Sequence, residues 1–395
     1  MIRPGATLGV LGGGQLGLLF ALSARRAGFR TVVLDPDPQA PAMACADWTI
    51  VARYDDTEAL LRLSESCQAI TTEFENVPAA SLEFLAARGV VRPSALSVAI
   101  CQDRIREKTF LADNGFLTAP FIVVAGSSRP SPETIAPLLP GILKTSREGY
   151  DGKGQWPIDT IDDLFSVTDT FPGPFILEKK LDLDRELSLV IARGSDGRTA
   201  LYPVSENFHE RGILHLSAVP ADIPQEISGK IREIGEAIAQ GLDYTGVMAV
   251  EYFLDRSGRL YVNEMAPRPH NSGHYTIDAC VASQFDQQVR SLCDLPLASP
   301  RLLSPCSMGN LLGDLWPEEA LPDFAPILSE PRAKLTLYGK KSPRPGRKMG
   351  HFTVLGESVR ESASLSRSIL TRLYQNVSAL SSGKGFPVEK KPVPR

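Results

Sequence analysis

The sequence predicts an α/β unit with a parallel sheet followed by a larger α+β unit, and three observations predict it. Over residues 5–92, short β-branched runs alternate with amphipathic stretches, the pattern of a sheet with helices on both faces. From about residue 118 the pattern changes to strand pairs separated by glycine-rich turns. After about residue 305 a smaller piece carries two more strands and a closing amphipathic helix. A chain of 395 residues has room for two or three such units at roughly 150 residues each.

In order, 6–11 reads as a strand, and the helical periodicity of 15–28 as a helix that Gly28 closes. Strands follow at 30–35 and 47–54, a helix at 55–66, a strand at 68–73, and a helix at 78–89 started by Pro78 and stopped by Gly89. Residues 94–114 read as one long helix, with Ser94 as N-cap and Asn114-Gly115 as its stop. Further strands are expected at 121–124, 141–145, 174–180, 187–193, 199–208, 247–254 and 259–265, with a well-patterned helix at 225–242. The Pro/Ser-rich segment 127–140 reads as a surface connection. Strands at 333–340 and 347–356 precede a helix at 364–380, and the polar, proline-rich last fifteen residues are expected to form a disordered tail.

Composition narrows the function classes. Forty-two Lys and Arg stand against 46 Asp and Glu, a net charge of −4, so no basic excess calls for nucleic acid or an anionic membrane. Hydrophobic residues at 43% and charged residues at 22% exclude a chain that is disordered, collagenous or coiled-coil throughout. No run of about 18 apolar residues is available to span a bilayer, and the glycine-broken N-terminus does not read as a signal peptide. The six cysteines are scattered without a CxxC pair, as expected for reduced, buried thiols in a cytoplasmic protein.

Chemistry concentrates in a few places. Gly12-Gly13-Gly14-Gln15-Leu16-Gly17 matches GxGxxG between a strand and a helix, where backbone N–H groups and the helix N-terminus would meet a phosphate. Asp35 stands where a dinucleotide fold holds a ribose hydroxyl; the same glycines would equally serve a tight turn and close helix packing. A unit of about 90 residues supplies one nucleotide-binding half rather than two, which weakens the dinucleotide reading. Lys144 ends a strand, and Arg147 to Gln155 form a charged glycine loop able to fold N–H groups over phosphate oxygens, or a plain hairpin turn. Glu178-Lys179-Lys180-Leu181 followed by Glu186 offers an edge and a carboxylate suited to a purine and its ribose, or a solvated charged turn.

A two-residue hairpin loop at Ser257-Gly258 sets a register in which partner numbers sum to 515, so that Glu251 faces Glu264. Like charges opposed on a sheet face are unfavourable unless a divalent cation lies between them, and oxygen ligands suit Mg²⁺ or Mn²⁺; the pair reads otherwise as two solvent-facing glutamates, one with a raised pKa. The loop from Ala266 to His274 holds Arg268, suited to neutralising a phosphoryl group or acyl phosphate. It also holds His270, suited to handling a proton or hydrogen-bonding a substrate hydroxyl, while His274 reads equally well as structural. Lys340, Lys341, Arg344, Arg347 and Lys348, among Pro343, Pro345 and Gly346, form a rigid basic loop fitted to a phosphate monoester or simply to water.

Taken in this order, GGGQLG (12–17), TEFENV (72–77), EGYDGKGQ (148–155), ENFHERGIL (206–214), VNEMAPRPHNSGH (262–274) and RPGRKMGH (344–351) resemble the ATP-grasp superfamily. Within it they resemble the N5-carboxyaminoimidazole ribonucleotide synthetase family, over roughly residues 5–380, with HNSGH and RPGRK the most specific pair. The resemblance implies a Rossmann-like N-terminal domain over 1–93 and an ATP-grasp domain over 94–304 with a glycine-loop subdomain at about 118–182. A small β-rich C-terminal domain would cover 305–380, before the tail at 381–395.

The same resemblance implies ATP held by Arg104, Lys144, Gly149, Tyr150, Asp151, Gly152, Lys153, Gly154 and Gln155. Glu178, Lys179, Lys180, Leu181, Glu186, His209, Asn263 and Glu264 complete that set. Glu251 and Glu264 would hold Mg²⁺ or Mn²⁺, with Ala266 where some relatives place a third ligand. Aminoimidazole ribonucleotide would be met by Gln15, Leu16, Glu73, Tyr150, Asp151, Arg268, His270, Asn271, Lys340, Arg344 and Arg347, with Arg268, His270 and Lys153 nearest the chemistry. One extra residue between Lys340 and Arg344 leaves open which of Lys340 and Lys341 faces the phosphate.

The implied activity is ATP- and bicarbonate-dependent carboxylation of aminoimidazole ribonucleotide through carboxyphosphate, releasing ADP and phosphate, in purine biosynthesis. The enzyme would be a cytoplasmic homodimer without nucleic-acid or membrane partners. Another ATP-grasp ligase, such as a formate-dependent glycinamide ribonucleotide transformylase, is disfavoured by HNSGH and RPGRK. An NAD-binding oxidoreductase would explain nothing after about residue 100.

Overall fold

The computed structural model describes residues 1–125, 129–147, 149, 154–171, 173–317 and 321–381, and only the backbone of 378–381. Its first unit is a five-stranded sheet of β1 (Thr7–Leu11), β2 (Arg30–Asp35), β3 (Trp48–Val51), β4 (Ala69–Thr72) and β5 (Val90–Val91). The order is β3-β2-β1-β4-β5 with every pair parallel. Central β1 is buried along its whole length, as a strand covered on both faces must be. Helix α1 (Gln15–Arg26) covers one face. Helices α2 (Thr57–Ser66), α3 (Ala79–Ala86) and α4 (Ala95–Cys101) cover the other.

The long helix expected at 94–114 is two helices. Asp103 leaves helical geometry (φ −130°, ψ 107°) and caps α5 (Arg104–Asp113) by accepting the N–H groups of Ile105 and Arg106. The same carboxylate receives Ser146 Oγ at 2.7 Å and Arg147 Nε at 3.0 Å, so the break ties α5 to the next unit.

That unit is an antiparallel sheet of β6 (Phe121–Ala125), β7 (Gly141–Thr145), β8 (Gln155–Ile158) and β9 (Pro174–Lys179), in the order β6-β9-β7-β8. It packs against α6 (Pro132–Ile135) and α7 (Ile161–Thr170) through Ile135, Leu143, Leu164 and Leu177. Segment 127–140, expected as a bare connection, thus contains the short helix α6.

The third sheet has nine strands: β10 (Leu183–Arg193), β11 (Thr199–Leu201), β12 (Ser205–Glu210), β13 (Ile213–Val219), β14 (Gly246–Asp255), β15 (Leu260–Ala266), β16 (Cys306–Leu312), β17 (Ala333–Leu337) and β18 (Lys348–Leu355). They run β15-β14-β10-β12-β13-β16-β18-β17, with β11 beside β10. The strand expected at 199–208 is therefore two, parted around Pro203, which has no N–H for a ladder. Strands after residue 305 continue this sheet, because β16 pairs with β13.

Helix α8 (Gln225–Gly241) covers one face through Ile231 and Ile238. On the other face lie α9 (Thr276–Ala279) and α10 (Gln284–Leu292). Phe285, Val289 and Leu292 of α10 also join Leu16, Leu19 and Phe20 of α1 in one core, which docks the first unit onto the large sheet. Helices α11 (Ala325–Leu328) and α12 (Val359–Ser381) close the C-terminal end. Among the described residues no helix is long and apolar enough to cross a membrane. All six cysteines are free; Cys280, Cys293 and Cys306 are buried as expected, whereas Cys45, Cys67 and Cys101 are partly exposed. The expected tail lies, from residue 382 on, outside the described residues.

Gly17 presses α1 against the strand-to-helix turn, since a Cβ there would lie 2.3 Å from Gly12 O. Gly17→Ala should therefore destabilise the protein by about 1–3 kcal/mol, read as a lower urea midpoint. An unchanged midpoint would show that this close approach is not required.

Candidate active site

Strand parity decides which residues reach the sheet face opposite α8. Met248, Val250 and Tyr252 of β14 point into the α8 core, so Glu251 points the other way. Val262 and Met265 of β15 both join that core, although they are three residues apart, a spacing a regular strand forbids. The reason is a β-bulge: Tyr252 pairs with Val262, whereas Glu251 pairs with Glu264, leaving Asn263 as the extra residue.

The hairpin loop is also longer than the two residues expected. Leu254 pairs with Leu260, and Asp255 N–H donates to Arg259 O at 3.0 Å, so partners beside the loop sum to 514. The bulge restores the sum of 515 at Glu251 and Glu264. The expected pair forms through two departures that cancel.

Arg104 answers the opposed carboxylates. Its Nη1 lies 2.9 Å from Glu264 Oε2, and its Nη2 donates to Gly149 O at 3.2 Å. Burial pushes the Glu264 carboxyl up, but Arg104 and Lys144 more than offset this and hold it below the usual range. The side chain is 38% exposed on the cleft, which limits the burial penalty and leaves Arg104 to decide the sign. Glu251 is raised by burial and by facing Glu264. His270 Nε2 lies 3.4 Å from Glu251 Oε1, and burial, with Arg268 and Lys348 nearby, lowers its pKa to about 3, so the ring is neutral. Gln284 fixes the His270 backbone, accepting its N–H at 2.9 Å and donating to its carbonyl at 2.8 Å.

A cleft of about 620 Å³ opens here. Its walls include Gln15, Leu16 and Glu73 from the first unit, Arg104, Gly149, Glu264, Arg268, His270 and Asn271 from the middle, and Lys340, Arg344 and Arg347 from the end of the chain. Lys340 Nζ reaches Gln15 Oε1 and donates to Lys348 O at 2.7 Å, whereas Lys341 is exposed, so Lys340 is the one that faces the cleft.

The glycine turn corrects the dinucleotide reading. Gly13 N–H donates to Asp35 Oδ2 at 2.6 Å and Gly14 N–H to Glu73 Oε1 at 2.7 Å. Asp35 also accepts Tyr54 Oη and Asp37 N–H, each at 2.8 Å. The turn's donors and the proposed ribose acceptor are thus engaged inside the fold. Gly12 adopts φ +109°, and a Cβ there would meet Glu73 at 2.7 Å, so glycine makes room for that carboxylate. Burial raises Glu73 to about 7.

Other expected residues lie behind the cleft. Lys144 Nζ is 2.8 Å from Glu178 Oε2, and Lys108 Nζ is 3.5 Å from Glu178 Oε1. Burial pushes Glu178 up, and the two lysines more than offset it. His209 Nδ1 stands 2.9 Å from Glu186 Oε2. Asn263 is buried on the bulge, its Oδ1 without a partner among the described residues. Lys179 ends β9 and, like Lys180, is exposed, Leu181 follows half-buried, and Gly154 directly precedes Gln155, the first residue of β8. Tyr150, Asp151, Gly152 and Lys153 lie outside the described residues. Among the described residues no group of three or more His, Cys, Asp or Glu is placed to hold a metal ion, so Glu251 and Glu264 stand as a pair.

Sequence reasoning missed several neighbours. Glu75 Oε2 accepts Arg268 Nε at 3.1 Å and Nη2 at 2.5 Å, and its place inside TEFENV was the available signal. Buried Glu107, which accepts the Met265 N–H, and buried Lys108 look in sequence like any Glu-Lys pair on a helix surface. Asn310 exchanges amide hydrogen bonds of 3.0 and 2.6 Å with Asn271, and nothing in CSMGNLL announced it.

Three family models match the chain: a ribonucleotide synthetase preATP-grasp domain over residues 5–102, an ATP-grasp domain over 109–285 and a phosphoribosylaminoimidazole carboxylase C-terminal domain over 306–364. An N5-carboxyaminoimidazole ribonucleotide synthase of Brucella melitensis is 42% identical over 361 residues, 89% of this chain and 97% of that protein. That of Bacillus subtilis is 40% identical over 356 residues, 90% and 93% of the two chains. The Staphylococcus aureus N5-carboxyaminoimidazole synthetase solved with ADP superposes with a TM-score of 0.86 at 37% identity, covering 93% of this chain and 98% of that one. The Aspergillus clavatus N5-carboxyaminoimidazole synthase solved with ADP and 5-aminoimidazole ribonucleotide gives 0.84 at 30% identity, covering 94% and 99%.

Beside the cleft, His351 is wholly buried, its Nδ1 2.9 Å from Tyr338 Oη, and burial lowers its pKa to about 3. The unfolded chain takes up this proton near pH 6.5 and the folded chain does not, so the contribution is complete above about pH 6.5 and is lost as pH falls toward 3. His351→Gln should flatten the fall in urea midpoint between about pH 6.5 and 4. An equally steep fall would show that His351 does not set the acid limb.

Proposed function

Because the chain belongs to the ATP-grasp superfamily and, within it, to the N5-carboxyaminoimidazole ribonucleotide synthase family, we propose that it carboxylates the exocyclic amine of 5-aminoimidazole ribonucleotide, with ATP and bicarbonate, in purine biosynthesis. The observation that carries this reading is a single cleft in which Gln15 and Glu73, the Arg104–Glu264 pair, Arg268 with His270, and the Lys340–Arg347 loop meet. Phosphate-binding cations from the end of the chain there face carboxylates and a nucleotide-handling sheet from the middle.

In this reading Arg104, Lys144 and the amides of the glycine loop hold the ATP phosphates, and Glu186 accepts the ribose hydroxyls. The edge from Glu178 to Leu181 meets the purine. Lys340, Arg344 and Arg347, with Gln15, hold the phosphate of the ribonucleotide. Tyr150, Asp151 and Lys153 are assigned to substrate contact on the family resemblance alone. Glu251 and Glu264 suit Mg²⁺ by their donor chemistry, two oxygen ligands whose mutual repulsion a cation would relieve. When bound, Mg²⁺ supplies positive charge against the nucleotide phosphates.

The chemistry runs in two displacements. An oxygen of bicarbonate attacks the γ-phosphorus, the bond to the bridging oxygen breaks, and ADP leaves with that electron pair. Arg268 offsets the charge that accumulates on the phosphoryl oxygens. The exocyclic amine then attacks the carbon of carboxyphosphate, phosphate leaves with the electrons of the C–O bond, and the proton shed by the amine goes to the departing phosphate. A closed cleft protects this anhydride from water. Under the same proposal the division of the chain at about residues 93 and 304 holds, and the enzyme works in the cytoplasm as a homodimer, which sedimentation would check.

The assay is ADP release with aminoimidazole ribonucleotide and bicarbonate omitted in turn. ADP should appear only when both are present. Equal release without the ribonucleotide, or formate serving in place of bicarbonate, would overturn the reading. Glu264→Gln should lower kcat by at least about a hundredfold in an enzyme that still unfolds in one cooperative thermal transition; near-normal kcat would remove the metal assignment.

A further inference from the structure

Behind His270 runs a line of buried polar side chains that none of these roles uses. Ser272 Oγ lies 2.8 Å from His270 Nδ1, and Ser188 Oγ donates to Ser272 Oγ at 2.8 Å. Asn207 Nδ2 donates to Ser188 Oγ at 2.9 Å, and Ser217 Oγ donates to Asn207 Oδ1 at 2.8 Å. None of the four is more than 5% exposed. They follow the ladder of the sheet, Ser217 pairing with Asn207, and Ser188 with Glu251. A connected line of buried hydroxyls and an amide has a defined direction only if one end is fixed.

The fixed end is His270. Its Nδ1 also receives the backbone N–H of Ser272 at 3.4 Å. A backbone N–H can only donate, so Nδ1 is an acceptor and carries no proton. The Ser272 hydroxyl then gives its proton to Nδ1 and accepts from Ser188, which accepts in turn from the Asn207 amide. A neutral ring with a bare Nδ1 keeps its proton on Nε2, the nitrogen that faces Glu251.

We propose that His270 serves the cleft as a fixed Nε2–H donor, and that Ser272, Ser188 and Asn207 are positioning residues that lock this tautomer. The chemical consequence rests on the reading above. A ring protonated at Nε2 cannot take a proton from the attacking amine; it donates a hydrogen bond to an anionic oxygen of bicarbonate or carboxyphosphate.

The chain has five histidines, few enough for the ring nitrogens of enzyme labelled with ¹⁵N-histidine to be resolved by NMR, and His270→Asn identifies the His270 signals by their loss. Near neutral pH the Nδ1 signal should fall in the unprotonated range and the Nε2 signal in the protonated range. Ser272→Ala should mix the tautomers and lower kcat by about tenfold or more, with KM for ATP within about twofold. Ser272→Thr, which keeps the hydroxyl, should restore both. A protonated Nδ1 in the unmodified enzyme overturns the proposal whether or not any variant folds. So does a Ser272→Ala enzyme that loses kcat with its tautomer unchanged, or one that mixes tautomers at full kcat. An Nε2–H tautomer in an enzyme that makes no ADP from bicarbonate and the ribonucleotide would uphold the lock and reject the substrate reading.

Discussion

Two carboxylates on neighbouring strands of one sheet face repel each other, and the site is built around holding Glu251 and Glu264 in that arrangement. Two unit charges about 4 Å apart interact by about 4 kcal/mol at an effective dielectric near 20, a large share of a protein's net stability. The bulge at Asn263 turns Glu264 onto the Glu251 side, and covalent continuity of the hairpin keeps it there. Arg104 at 2.9 Å and His270 at 3.4 Å are the groups brought up to meet the two carboxylates. The two carboxyls are shifted in opposite directions, Glu251 upward by burial and by facing Glu264, and Glu264 downward because Arg104 more than offsets its burial.

That constraint explains why the helix breaks at Asp103. The break lets Asp103 cap the new helix and clasp Ser146 and Arg147, so the N-terminus of α5 is registered against the stem of the glycine loop. Arg104, the first residue after that cap, then spans Glu264 and Gly149 O together. One guanidinium thereby links the carboxylate pair to the loop proposed to cover ATP. The second cation at this end, Lys144, is balanced by Glu178, and Lys108 balances Glu178 from the other side.

The parallel sheet of the first unit was legible because alternating β-branched runs and helical periodicity are local signals. Glu251 opposite Glu264 was legible for a weaker reason: the assumed loop was one residue too short, and the unforeseen bulge made up the difference. Strands β13 and β16 went unread because ILHLSAV and CSMGNLL interrupt their apolar residues with Ser, His, Gly and Asn, although both lie inside the sheet. Those polar interruptions are functional in the fold: Ser217 ends the line to His270, and Asn310 pairs with Asn271. Long-range partners such as Glu75 for Arg268, 193 residues apart, have no signature in periodicity and emerge only when the units dock.

Continuity of the large sheet is what makes a cleft of distant parts precise. Because β16 pairs with β13 and β18 with β16, the basic loop before β18 is carried on the same ladder that carries Glu251 and Glu264. Gly313 N–H donates to Arg347 O at 2.8 Å and Gly346 N–H to Asp314 Oδ2 at 2.7 Å, so the loop is pinned to the end of β16 rather than left on a tether. Lys340 then reaches back to Gln15, and α10 holds α1 in place beneath it. Hydrogen-bonded ladders deform little, so a phosphate held by the basic loop and a phosphoryl group held near Glu264 would keep a fixed separation. Reaction between two bound substrates depends on that separation to fractions of an ångström, which is why Arg104, Arg268, Lys340 and Arg347 line one cleft on a rigid frame while other cations of the chain, such as Arg53 and Arg198, stay on the surface.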